Sequence, residues 1–128
     1  MIDDDRISRW LIARQLRQEG LEVTEAAGGV EGIRMLCEER VDLVLTDLRM
    51  PGCSGWDVAR AARQLRPNLP VVLVTGNPEM VEAVLDAAPY LCELVSAVIP
   101  KPVCPETLLR VVRTLTGALE VEKGPRGA

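Results

Sequence analysis

The chain has 128 residues, a net charge of −4 and no histidine. This length suits one domain that buries about 70% of the surface its unfolded chain would expose. The acidic balance argues against a direct nucleic-acid partner, because phosphate binding needs a basic surface. Without histidine, Ser-His-Asp and Cys-His catalysis are excluded, and the commonest general base is missing.

Hydropathy and cysteine usage indicate a cytoplasmic protein with no membrane partner. No apolar stretch approaches the roughly 18 residues of a membrane helix, and the N-terminus lacks the basic and apolar regions of a secretory signal. The cysteines occur singly and form no CxxC pair, so we expect reduced thiols that do not share a metal site. They are Cys37, Cys53, Cys92 and Cys104.

Helical periodicity and aliphatic runs alternate along the chain. The predicted elements in chain order are a helix over 6–19, a strand over 21–26, a helix over 30–39, a strand over 41–46, a helix over 56–66, a strand over 70–75, a helix from Asn77 to about Ala88, an irregular turn over 89–96, a short strand over 97–100 and a helix over 105–121. Strands separated by helices of this length predict a parallel sheet covered on both faces. We predict one α/β domain over 1–119 and a polar tail over 120–128.

Polar residues follow the predicted strands, at the points where each aliphatic run stops. Asp3, Asp4 and Asp5 follow the first two residues, Asp47 ends the strand over 41–46, Thr75 ends the next strand, and Lys101 follows the last. Ligands of an open parallel sheet bind outside the carboxyl ends of its strands. We therefore expect carboxylates, a hydroxyl and an ammonium group to converge at one edge.

A divalent cation explains why several acids would share such an edge. Carboxylates brought together without a counterion resist ionisation, whereas Mg²⁺ binds one or two carboxylates and keeps several waters. Asp47 could then attack phosphorus, as aspartyl-phosphate enzymes do. Lys101 and the Thr75 hydroxyl would stabilise charge on the phosphoryl oxygens.

Each of these residues also has a purely structural interpretation. The acids at 3–5 can cap the first helix, and Asp47 can begin the turn at "MPG". Thr75 can mark a helix boundary, and Lys101 can be a loop residue held by its X-Pro bond. Four such coincidences at one sheet edge are harder to accept than one shared site.

Four motifs together resemble the receiver domain of two-component response regulators. They are "DDD" at 3–5, "LTDLRMPGCSGWD" at 45–57, "VVLVTG" at 71–76 and "KP" at 101–102. The resemblance covers about Ile2 to Leu119 and implies a doubly wound, five-stranded parallel sheet in the order 2-1-3-4-5.

The resemblance also implies roles for individual residues. Asp3, Asp4 and Asp47 would hold Mg²⁺, and Asp47 would accept a phosphoryl group from a phosphohistidine on a sensor kinase. Thr75 would contact the phosphoryl group, and Lys101 would form an ion pair with it. The peptide bond between Lys101 and Pro102 would be cis. Arg49 and Asn77 would flank the site and tune the lifetime of the phosphoryl group.

The sequence departs from the family pattern in three places. Only Met1 and Ile2 precede Asp3, where the family has a longer strand. Three or four missing aliphatics would cost on the order of 5–10 kcal/mol, so we expect an upstream start or a shifted or borrowed strand to compensate. Val98 stands where the family often has Tyr or Phe, and the segment over 77–96 is long, which suggests an unusual partner.

Three functions compete at this point. The first is a phosphorylatable receiver, not an enzyme, that takes its phosphoryl group from a sensor histidine kinase or phosphotransfer protein and switches a downstream protein. The second is a pseudo-receiver that binds partners without phosphorylation. The third is a Mg²⁺-dependent phosphohydrolase. Such an enzyme would need a second acid two residues after Asp47 to serve the leaving group, and this chain has Arg49 there.

Overall fold

The computed structural model describes residues 1–117. Its α-helices are α1 (Arg6–Gln18), α2 (Gly29–Glu38), α3 (Gly55–Leu65), α4 (Pro78–Ala87) and α5 (Pro105–Thr116), with a 3-10 helix at Pro89–Glu93. Its strands are β1 (Val44–Asp47), β2 (Val71–Thr75) and β3 (Ala97–Pro100). The alternation of helices and strands predicted after residue 29 is therefore confirmed, and the irregular turn is a 3-10 helix. The predicted end of the last helix at residue 121 lies outside the described residues.

The three strands form one parallel sheet in the order β1-β2-β3. Asp47 pairs in register with Val74, and Thr75 pairs with Pro100. The last residues of the strands therefore lie side by side, and the loops that follow them open at the same edge.

Helices cover both faces of the sheet. Val44 and Val71 pack with Leu36 of α2 and Val58 of α3 in one cluster. A second cluster contains the next residue of each of these strands with buried residues of α1 and α5, namely Leu45, Val72, Ile12, Leu16, Leu108 and Val112. Side chains alternate between the faces of a strand, so the continuous aliphatic runs of β1 and β2 fill two cores.

The prediction of a five-stranded sheet in the order 2-1-3-4-5 is not confirmed. Where the prediction has two further strands beside β1, the structure has isolated bridges only. Ile2 forms single parallel bridges to Ala26 and to Thr46. The predicted strand over 21–26 is irregular apart from the bridge at Ala26. One bridging residue provides too few backbone partners for a ladder, so residues 21–25 find other partners.

Arginine side chains of α1 provide some of those partners. Nη2 of Arg17 donates to the carbonyl of Val23 at 2.7 Å, and Nη1 of Arg17 contacts a carboxylate oxygen of Glu25 at 2.9 Å. Nε of Arg9 contacts the other oxygen of Glu25 at 3.2 Å. The segment before Ala26 is therefore held by guanidinium groups as well as by its short pairing with Met1 and Ile2.

Local caps explain where the helices begin. Asp5 accepts the backbone N–H of Ile7 at 3.0 Å and so caps α1, which confirms the structural interpretation for this one acid. Ser54 and Asp57 form a capping box at α3. Asn77 caps α4, whose first residue is Pro78.

The predicted boundary between the domain and its tail at 119/120 lies outside the described residues and stays a prediction. Among residues 1–117, no helix combines the length and the hydropathy needed to cross a membrane.

Candidate functional site

Three carboxylates meet at the edge where the strands end. Asp3, Asp4 and Asp47 each offer an oxygen, and these oxygens lie within 4.8 Å of one another. Asp3 follows the bridging Ile2, and its side chain is 0% exposed. Asp47 ends β1 and keeps 13% of its side chain exposed. The two sequence motifs are thus brought together as predicted, and these hard oxygen ligands are of the kind that suits Mg²⁺.

Lys101 connects the two most buried of these acids. Its Nζ lies 3.2 Å from Oδ2 of Asp3 and 3.1 Å from Oδ1 of Asp47. Its backbone N–H donates to the carbonyl of Thr75 at 2.8 Å, and its bond to Pro102 is cis, as the resemblance implied. One ammonium group therefore bridges two carboxylates that come from distant motifs of the chain.

Thr75 lies at the same edge but has a different partner. Its hydroxyl oxygen accepts the backbone N–H of Asn77 at 3.1 Å, and the residue is buried. Asp47 pairs with Val74, so the Thr75 side chain sits one residue farther along the neighbouring strand. The structure thus brings all five predicted site residues to one edge, with the acids and Lys101 forming one cluster.

Comparison with known proteins agrees with this arrangement. The family model of the response regulator receiver domain matches residues 1–113. The chain belongs to this family. Response regulator MprA of Mycobacterium sp. (strain KMS) is 32% identical over 127 residues, which cover 98% of this chain and 53% of that protein. The chain spans about half the length of MprA and about a fifth of the length of other curated transcriptional regulators that it matches.

Solved receiver structures show the same fold. A CheY-like receiver domain from Methanospirillum hungatei JF-1 is 30% identical, with a TM-score of 0.80 and coverage of 94% of both chains. TrrA from Thermotoga maritima, solved in complex with Mg²⁺-BeF, is 25% identical, with a TM-score of 0.77 and coverage of 89% of this chain and 94% of that one. The short pairing of Ile2 therefore occurs within an otherwise ordinary receiver fold.

Burial and neighbouring charges shift the pKa values of Asp47 and Lys101 at the receiver site. Burial raises the pKa of Asp47, the negative charge of Asp3 raises it further, and Lys101 offsets part of the rise. Burial alone would lower the pKa of Lys101, but its hydrogen bond to Asp47 and the charge of Asp3 outweigh burial and raise it. The site therefore carries more negative charge than one ammonium group neutralises.

We predict that Asp47→Asn raises the free energy of unfolding at pH 7 by about 1 kcal/mol in metal-free buffer. Because the pKa of Asp47 is higher in the folded state than in the unfolded state, the protonated side chain favours folding more than the ionised one does. This contribution to stability is lost as the pH rises from the ordinary pKa of aspartate through the raised pKa. The gain should therefore appear above this window and disappear below it. Urea unfolding at pH 7 and at pH 3 in EDTA measures both values, and equal stability at pH 7 would contradict the prediction.

One residue at the site was not predicted from the sequence. Nη1 of Arg9 donates to the carbonyl of Asp3 at 2.8 Å, while its Nε pairs with Glu25. Arg9 thus holds the backbone of the buried acid. Its partner Glu25 is 16 residues away along the chain, so no short motif could have identified the contact.

A second departure from the family pattern, at position 98, lies near the site. Val98, at the position where the resemblance leads us to expect an aromatic ring, is partly buried against a cluster of Leu48, Leu73 and Val81. A valine side chain cannot swing between two positions as a ring can. The inward swing of a ring that the resemblance implies at this position is therefore not available to Val98.

Proposed function

We propose that this receiver accepts a phosphoryl group on Asp47 from a sensor histidine kinase or phosphotransfer protein, with Mg²⁺, and signals by switching to a protein partner. The observation that carries the proposal is the bridge of Lys101 between Asp3 and Asp47, with Asp4 beside them. Such a set has the parts that phosphoryl transfer requires: a nucleophile, oxygen ligands for a cation, and a fixed positive charge.

The transfer exchanges one bond to phosphorus for another. An oxygen of Asp47 forms a bond to phosphorus while the bond from phosphorus to the donor's imidazole nitrogen breaks, and the electron pair stays on that nitrogen. Asp3, Asp4 and Asp47 would hold Mg²⁺, which supplies positive charge against the phosphoryl oxygens when bound. Lys101 already lies 3.1 Å from Asp47 and needs little movement to pair with a phosphoryl oxygen. The Mg²⁺-BeF complex of TrrA supports this assignment by similarity.

Phosphorylation would then act through a shift between two states. It adds about −1.5 to −2 charge to a site that is already acidic. The Thr75 hydroxyl, which now accepts from Asn77, would turn to the phosphoryl group and pull on the loop before α4. We propose a cytoplasmic protein that is a substrate and switch, not an enzyme, and that contacts neither nucleic acid nor membrane itself.

The pseudo-receiver is the alternative, since Ile2 forms only single bridges and Val98 replaces a ring. Against it, no side chain of the acceptor set is substituted, and all of them converge on one edge. A binding module without phosphorylation would have no need to keep three acids and an ammonium group together at a cost in stability.

The test is the intact mass after incubation with Mg²⁺ and acetyl phosphate. We expect a gain of one phosphoryl group that is absent from Asp47→Ala and from samples with EDTA. Thermal unfolding with and without Mg²⁺ provides a second readout, because a cation that binds the folded state stabilises it. Folded protein that gains no mass would refute the proposal and leave the pseudo-receiver.

A further inference from the structure

Arg9 contacts the backbone between two of the acids that are proposed to hold Mg²⁺. Its Nη1 donates to the carbonyl oxygen of Asp3 at 2.8 Å, and only 16% of its side chain is exposed. The carbonyl of Asp3 and the N–H of Asp4 belong to the same peptide unit, which is planar and rotates as a whole. One hydrogen bond from Arg9 therefore restrains the backbone that carries both acids.

The sheet stops pairing with the N-terminal residues at Asp3. The carbonyl of Ile2 accepts the backbone N–H of Asp47 at 2.8 Å. The N–H of Asp3 donates to the carbonyl of Ala26 at 3.1 Å. The next group along the backbone is the carbonyl of Asp3, and it accepts from the Arg9 side chain. Arg9 thus continues the restraint of the backbone directly after the last hydrogen bond of this short pairing.

Glu25 holds the guanidinium of Arg9 in place. Its Oε1 lies 3.2 Å from Nε of Arg9, and its Oε2 lies 2.9 Å from Nη1 of Arg17. The donors of a guanidinium form a rigid planar fork, so engaging Nε and Nη1 of Arg9 with different partners defines the orientation of the whole group. The hydrogen bond to the Asp3 carbonyl is therefore supported from a second element of the fold.

We infer that Arg9 is a positioning residue for the Mg²⁺ site, because it orients the peptide unit between Asp3 and Asp4. This inference rests on the proposed function, in which these acids and Asp47 hold the cation. Groups that orient metal ligands without touching the metal commonly change metal affinity by about 10–100-fold. The charge of Arg9 alone acts in the opposite direction, because a guanidinium near the site repels a cation. Positioning predicts that loss of Arg9 weakens Mg²⁺ binding, whereas charge repulsion predicts that it strengthens binding.

Arg17 provides a matched control within the same network. Arg9 and Arg17 both lie on α1, and each contacts one carboxylate oxygen of Glu25. Each also donates to one backbone carbonyl, which for Arg9 is that of Asp3. For Arg17 it is the carbonyl of Val23, at 2.7 Å. Arg9→Met and Arg17→Met thus remove the same charge and the same kinds of contact, and only Arg9→Met releases the peptide unit between the acids.

The test is thermal unfolding of the whole chain in EDTA and across a series of MgCl₂ concentrations at constant ionic strength. The rise in unfolding temperature with Mg²⁺ gives the dissociation constant, and the value in EDTA gives the baseline of each variant. We expect the Mg²⁺ dissociation constant to rise about tenfold in Arg9→Met and to change less than about twofold in Arg17→Met. Arg9→Lys keeps the charge and a donor but loses the fork, so its dissociation constant should rise about threefold.

The rate of mass gain with Mg²⁺ and acetyl phosphate provides a second readout. At Mg²⁺ concentrations below the wild-type dissociation constant, the rate in Arg9→Met should fall by about tenfold. At saturating Mg²⁺ it should return to within about twofold of the wild-type rate, because the lost interaction affects binding of the cation. A residue with a purely structural role would leave the Mg²⁺ dependence of the rate unchanged.

The outcomes separate this inference from the function on which it rests. Equal Mg²⁺ dissociation constants for Arg9→Met and Arg17→Met, or tighter binding by Arg9→Met, would overturn the positioning role and leave the receiver function intact. A wild-type chain that Mg²⁺ does not stabilise would overturn both. Weaker binding in Arg9→Met alone supports the inference. If Arg9→Met does not fold in EDTA, Arg9→Lys decides, and binding as tight as in the wild type would then overturn the inference.

Discussion

Replacing Lys101 with methionine should lower the free energy of unfolding at pH 7 by about 2–3 kcal/mol. The Asp3 side chain is 0% exposed, and the change leaves its carboxylate with the backbone N–H of Asp5 as its remaining partner among the described residues. An uncompensated buried charge is more costly than loss of an exposed ion pair. The 25% exposure of Lys101 places the expected loss just below the roughly 3–5 kcal/mol that breaking a fully buried pair costs.

A double-mutant cycle identifies the cause. Adding Asp3→Asn to Lys101→Met removes the orphaned charge and should recover about half of the lost stability. Because the pKa of Lys101 is raised above 10.5, its contribution is complete below that pH and is lost only as pH rises through the raised value. The deficit of Lys101→Met should therefore be constant from pH 7 to pH 10. Urea unfolding in EDTA provides all of these values, and a double variant no more stable than Lys101→Met would contradict the assignment.

Gly55→Ala should destabilise the chain by about 2–3 kcal/mol, although alanine is the better helix former by about 1 kcal/mol. A Cβ atom at this position would lie 2.6 Å from the carbonyl oxygen of Asp47 and 3.0 Å from Cα of Leu48. Both atoms belong to the backbone and cannot rotate away. The N–H of Gly55 also donates to the carbonyl of Leu48 at 2.8 Å, so any shift moves the loop that follows the acceptor.

Gly76→Ala is the matched control for this prediction. Gly76 lies in the corresponding loop after β2 and has no positive φ, and a Cβ atom at this position would meet no other heavy atom within 4 Å. The change should alter stability by less than about 1 kcal/mol. Thermal or urea unfolding distinguishes the two variants. If Gly55→Ala were as stable as the wild type, the tight contact between α3 and the end of β1 would not be a constraint on the acceptor.

The helices and the strands over 41–100 were predictable because each has a strong local signal. The runs "VDLVLT" and "PVVLVT" supply strands that are buried on both faces of a parallel sheet, and this burial requires a continuous aliphatic pattern. Asn77 with Pro78 marks a helix start by capping chemistry that involves neighbouring residues alone. The alternating pattern over 21–26 was a weaker signal, and its prediction as a strand was wrong for all but one bridging residue.

The convergence of the site was predictable from a topological rule. Parallel strands end at one edge, so residues that follow aliphatic runs meet there, and Asp3, Asp47, Thr75 and Lys101 do. Residue type and position alone could not distinguish the three consecutive acids, and only the resemblance selected Asp3 and Asp4 among them. The structure directs Asp3 and Asp4 to the cluster and Asp5 to the cap of α1.

The sequence by itself determined the order of most elements, the edge at which the site forms and the residue types that form it, because these depend on local periodicity and chain direction. Only the tertiary structure decided how the short N-terminal pairing is supported and which acids Lys101 bridges. Those features depend on distances between residues far apart in the chain, such as the 98 positions that separate Asp3 from Lys101. Packing of the two cores sets these distances, and no window of sequence contains them.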